Sequence, residues 1–127
     1  MSRPQPGQAL IEFALSLSLL CLLILGIVDA GRAVVAAISL ANAAREGARY
    51  AALHWRDATW SSQASTVITN TALGLDTNRL TIVSLSVDQQ AQLATVQLGY
   101  AFTAAAPLVG NALGPINLTA SSSMLTH

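Results

Sequence analysis

The sequence predicts an α+β protein. A long amino-terminal transmembrane α-helix runs on into a small head, which carries a second helix and a three-stranded, mostly antiparallel sheet. Three observations lead there. Residues 13–28 hold no charged side chain. The apolar pattern continues past them to about residue 53 with no proline and no helix stop. After Gly74 the apolar period changes from helical to two.

The charge-free run, extended back to residue 8, gives roughly 20 residues, the length a helix needs to cross about 30 Å of hydrocarbon. From residue 8 to 53, at about 1.5 Å per residue, the rod is roughly 70 Å long. The helix therefore begins in the membrane and extends well outside it. Three segments follow: a polar leader at 1–7, the long helix at 8–54 and an exported head at 55–127. In the leader, Pro4 and Pro6 exclude helix. Arg3 and the amino terminus hold that end in the cytoplasm by the positive-inside tendency.

Composition agrees. The chain has 127 residues, 53% of them hydrophobic and only 9% charged. An ordinary soluble protein is about a quarter charged. Six basic and six acidic residues balance, so nothing points to nucleic acid as a partner. Cys21 is the single cysteine, so it forms no intrachain disulfide. Leu20 before it is too large for a lipid-attachment site, and Cys21 reads as a small apolar residue facing lipid or a neighbouring helix.

Glu12 is out of place, because a carboxylate beside an apolar run is costly and marks a functional position by default. Asp29 and Arg32 are three apart, share a face and mark the far membrane boundary. Beyond them a stripe of small side chains includes Ala37, Ala41, Ala44, Gly47 and Ala48. Such a stripe lets helices approach closely, so these five are candidate helix–helix packing positions. Alanine is also the best helix former, but Gly47 works against propensity and leans toward packing. Glu46 can reach Arg49 on the same turns.

The long helix bends or stops around residues 54–57. A second helix is expected over 58–73, with Asp57 as its N-cap, Gly74 just past its end, and Trp60, Ala64, Val67, Ile68 and Thr71 on one face. A strand follows at 79–87, a turn at 88–90 and a second strand at 92–102. A short helical turn fits 106–113 before Gly114 and Pro115, and a third strand fits 116–124.

No catalytic chemistry is visible. His54 and His127 have no ligand partners at metal spacing, and the acidic residues are scattered. No glycine pattern surrounds a serine nucleophile or cradles a phosphate. The expectation is a protein that is not an enzyme and needs neither cofactor nor metal.

Gly7, four residues, then Glu12-Phe13 and an apolar run is the pattern of a type IV prepilin cleavage site. The longer string GQALIEFALSLSLLCLLILGIVDAGRA, with ANAAREGARYAA further on, resembles the TadE-like family, the pseudopilin-like proteins of tight-adherence (Tad) pilus systems. The resemblance is densest over residues 7–52. It implies a pilin-like fold and a minor pilin or pseudopilin that builds or assembles a Tad-type pilus. It further implies cleavage by a membrane prepilin peptidase between Gly7 and Gln8, and a role for Glu12 in neutralising an amino terminus, its own or a neighbour's. The implied partners are the peptidase, other pilin or pseudopilin subunits, the inner-membrane assembly machinery and the lipid bilayer. The implied location is the bacterial inner membrane, single-pass, with the amino terminus cytoplasmic, the head exported and a pilus as a further destination.

Two other readings compete. One is a single-span anchored protein whose exported head binds a partner, with no filament role. The other is a secreted domain cut near VDAGRA by signal peptidase. Against the latter, Glu12 interrupts the apolar region and the leader carries little positive charge.

Overall fold

The structure, a computed structural model, describes residues 6–127. The readings of Arg3 and Pro4 lie outside the described residues. Helix α1 is continuous over Pro6–His54, 49 residues, or about 74 Å at 1.5 Å per residue. It starts earlier than the sequence suggests. Pro6 does not exclude helix but opens it, because at the first position its missing N–H has no intrahelical partner to lose. Gly7 thus belongs to the first turn of α1 rather than to an extended leader.

A turn over 55–59 carries the chain into helix α2, Trp60–Thr71. Here the expected cap is corrected. Thr59, not Asp57, precedes the helix, and its side chain makes no capping bond to the backbone. Asp57 instead closes the preceding turn, its carbonyl accepting the Trp60 N–H at 3.2 Å. Gly74, at φ 77°, takes the left-handed conformation that redirects the chain out of α2, and a Cβ would be strained there.

Strands β1 (Leu80–Asp88), β2 (Leu93–Phe102) and β3 (Ile116–Leu125) form one antiparallel sheet in the order β1-β2-β3. The β1–β2 turn is held by Asp88, whose Oδ1 accepts the amides of Gln90 at 2.8 Å and Ala91 at 3.0 Å. Short helix α3, Pro107–Leu113, crosses from β2 to β3 and stops at Gly114, where φ is 65°.

The central strand alternates without a break: Ala94, Val96, Leu98, Tyr100 and Phe102 are buried on one face. Strand β1 does not. Leu80 and Ile82 point inward, but so do Leu85 and Val87, an odd step apart. A bulge resolves this. Ile82 pairs with Leu98 and Ser84 with Gln97, leaving Val83 without a partner in the register and 57% exposed. A strict two-residue alternation over residues 79–87 therefore fails in phase at one residue.

The second half of α1 lies across β2 and β3 and beside α2. Ala36, Leu40, Ala43, Ala44 and Ala48 from α1 form one buried cluster with Ile68, Val96, Leu98, Tyr100 and Phe102. Small side chains on the helix meet large ones on the sheet, so the layers interlock at short range. A second cluster joins Ala51 and Ala52 to Ala94, flanked by Trp60, Leu85 and Val87.

Candidate functional site

Two halves of α1 differ in what covers them. From Leu10 to Val28 the large apolar side chains are exposed: Leu10 69%, Phe13 66%, Leu19 61% and Ile27 72%. Monomeric soluble proteins rarely show a contiguous apolar surface of this extent. The most apolar 18-residue window has a mean hydropathy of 2.5, and none of it is buried within the chain. Helix α1 therefore has the length and composition to cross a membrane. Cys21 is exposed in this half.

Gly7, Gln8 and Glu12 are all exposed, in the first two turns. Nothing lies within 4 Å of where a Gly7 Cβ would stand. Gln8 and Glu12 are four apart in α1, hence neighbours on one face. Among the described residues, no cation pairs with Glu12.

The small-residue stripe divides. Ala37 is exposed and Ala41 half-buried, whereas Ala44, Gly47 and Ala48 are buried. A Cβ on Gly47 would stand 2.5 Å from Ile68 Cγ1. This is a close helix–helix approach, but the partner is α2 of the same chain. Of the five candidate helix–helix packing positions, Ala44, Gly47 and Ala48 are thus covered by the chain's own head. Glu46 and Arg49 pair at 3.8 Å on the exposed side, a contact of little energetic weight.

Asp29, the first residue after the charge-free run, is the junction between helix and head. It is buried, 7% exposed. The expected pair with Arg32 is present, Nη1 donating to Oδ1 at 2.8 Å. Sequence reasoning missed its other partners. Ala105 N–H donates to Oδ1 at 3.0 Å and Ala106 N–H to Oδ2 at 2.8 Å. Asp29 thus supplies, from another element, the acceptor that the start of α3 lacks locally. These two amides, with the Arg32 guanidinium, hold its carboxyl below the ordinary value against the opposing effect of burial. The link spans more than seventy residues, so no local motif could reveal it.

Further ties fix the head on α1. The Tyr50 hydroxyl donates to Gln63 of α2. Ser39 Oγ donates to the Leu73 carbonyl at 2.8 Å. Within α1 itself, the Tyr50 and His54 rings stack at 4.1 Å, one turn apart.

Residues 7–49 match the family model described as TadE-like protein. The match begins at Gly7 and ends at Arg49, inside α1, so it takes in the exposed apolar half and the first part of the covered half. It bears out the resemblance carried by the sequence. No curated protein and no solved structure matches the chain.

Proposed function

We propose that the chain is a TadE-like minor pilin or pseudopilin, a structural or assembly component of a Tad-type pilus. The single observation that carries the reading is the division of α1. Its first half presents bare apolar side chains while its second half is clamped under a small α+β head. That is the construction of a subunit anchored by one helix and able to pack that helix against others. The family match over residues 7–49 supports the same reading.

In this reading the helix crosses the bacterial inner membrane with residues 1–7 in the cytoplasm and the head exported. A prepilin peptidase cuts between Gly7 and Gln8. The exposure of both residues and the open space around Gly7 suit access by a protease. Gln8 then carries a new positive amino terminus. Glu12 lies one helical turn away on the same face, close enough to pair with it. Paired with an amino terminus, its own or a neighbour's, the carboxylate is far less costly in hydrocarbon than alone. Ala37 and Ala41 remain as the part of the small-residue stripe available to other pilin subunits or to the assembly machinery.

The test is the intact mass of membrane-extracted protein expressed with and without its prepilin peptidase. Loss of residues 1–7 only with the peptidase, blocked by Gly7→Val, is the expected result. Uncut protein in both samples refutes the processing step. A cut near residues 30–37 identifies the apolar half as a discarded secretory signal.

A further inference from the structure

Strand β2 runs back along α1 toward its exposed apolar half. Near the start of β2, Ala94 packs with Ala51 and Ala52. At its end the Phe102 ring lies under the Arg32 guanidinium at 5.5 Å. Strand β3 sets out again from the same level, Ile116 pairing with Phe102. The connection between them, with helix α3 in it, therefore closes the end of the head nearest the apolar half of α1. Asp29 fixes its height, accepting the amides of Ala105 and Ala106 at 3.0 and 2.8 Å.

That height is the edge of the hydrocarbon if α1 crosses a bilayer. The run from residue 8 to 28 is about 30 Å long, the thickness of the hydrocarbon core. Asp29 comes next, where hydrocarbon gives way to a head-group layer about 5–7 Å deep. Helix α3 begins beside it, on the membrane side of Arg32.

The segment suits this layer. From Gln89 to His127 the chain holds no Asp, Glu, Lys or Arg, and α3 itself reads PLVGNAL. Ala112, Pro115 and Ile116 are exposed, and Leu113 stands 67% exposed. The backbone here is also prepared for scarce water, where each polar group needs a partner within the protein. Two amides ahead of α3 go to Asp29, and Pro107 has no N–H to satisfy. Gly110 N–H donates to the Ala106 carbonyl at 2.8 Å, and Gly114 N–H to the Gly110 carbonyl at 3.2 Å. Asp29 itself is matched by these amides and by Arg32, as a carboxylate at the edge of hydrocarbon must be.

We propose that α3 and its flanking turns rest in the head-group layer of the leaflet facing the head, with Leu113 reaching the upper acyl chains. The surface is continuous with the exposed apolar half of α1, so the occupant is the same bilayer. The head then meets the membrane at two points, the helix and α3, and these two contacts fix its tilt. The inference rests on α1 spanning the bilayer, but not on a pilus role.

The experiment measures depth in vesicles of dioleoylphosphatidylcholine. The full chain, with Cys21→Ala, carries one new cysteine at a time, labelled with nitrobenzoxadiazole: Leu113→Cys, Ile27→Cys in the apolar half, or Gln90→Cys in the β1–β2 turn at the opposite end of the head. Quenching is read with a phosphatidylcholine spin-labelled near the top of its acyl chains. Circular dichroism shows that each variant is folded, and Ala112→Cys repeats the test at a neighbouring exposed position. The expected result at 113 is a blue-shifted emission and at least half the quenching seen at 27, with none above background at 90. Quenching at 27 but only background at both 112 and 113 refutes this proposal alone. A blue shift at 113 without quenching overturns it in favour of a protein contact. Background quenching at 27 as well refutes the spanning helix, and this inference with it.

Discussion

Replacing Gly47 with alanine tests whether α1 and α2 meet as closely as the geometry says. In an exposed helix interior the change would stabilise by about 1 kcal/mol, because glycine has the greater backbone freedom to lose. Here the new Cβ would stand 2.5 Å from Ile68 Cγ1 and 2.7 Å from its Cδ1, with Val96 Cγ2 at 3.6 Å. Ile68 and Val96 are both fully buried, so the isoleucine has no open side into which to turn. Forcing a methyl into a packed core costs roughly 1–3 kcal/mol. The balance predicts a net loss of about 1 kcal/mol, opposite in sign to the exposed-helix rule. The assay is guanidinium unfolding of the full chain in detergent, followed by tryptophan fluorescence, with Trp60 flanking the second core cluster. Ile68→Ala alone should cost about 2–5 kcal/mol. The double variant should cost less than the sum of the two, by roughly 1–3 kcal/mol, because truncating Ile68 removes the atoms the new methyl strikes. Gly47→Ala that stabilises, with no coupling to Ile68, would refute the close approach and with it the assignment of this stripe to the head.

Other perturbations separate the two halves of α1 and probe the junction. Leu40→Ala, at a fully buried position, should lower stability by about 2–5 kcal/mol in the same assay, whereas Leu20→Ala in the exposed half should leave head unfolding unchanged. Asp29→Ala should speed hydrogen exchange at the Ala105 and Ala106 amides while leaving the β2 ladder protected, a pattern read by mass spectrometry of peptides. The Asp29 carboxyl is held below its ordinary value, so its contribution is present above the unfolded pKa and lost as pH falls through the folded one. Asp29→Asn should therefore flatten the acid limb of the stability profile. Deleting Val83 should leave the fold intact, since Ile82 and Ser84 already oppose Leu98 and Gln97 in consecutive register. Deleting Ser86 should instead turn Val87 outward and destabilise the sheet, which thermal unfolding would show.

Much of this fold can be read from the sequence because its signals are local. A charge-free run, a period change after Gly74 and turn residues at Asp88 and Gly114 each act over a few positions. The β1 bulge was less legible: Leu80, Ile82, Leu85 and Val87 are all apolar, but so is Val83. Only the pairing with β2 decides which apolar residue is extruded. The N-terminus of α2 shifted for a similar reason. Asp57 is the better capping side chain, yet the turn it closes lies ahead of the helix.

The candidate site shows a sharper limit. Small residues on a helix state that something comes close, not what. Ala44, Gly47 and Ala48 mark a place where another helix comes close, and the structure shows that this helix is α2. Composition alone cannot distinguish an intrachain partner from a neighbouring subunit, because both demand the same short interaxial distance. What the covered residues leave behind is more informative. Val34, Val35 and Ile38 remain 59%, 65% and 57% exposed beyond the charge-free run, beside the exposed Ala37. The head occupies one side of the outer half of α1 and leaves this side bare, continuous with the exposed apolar half. If subunits meet through their long helices, they meet there.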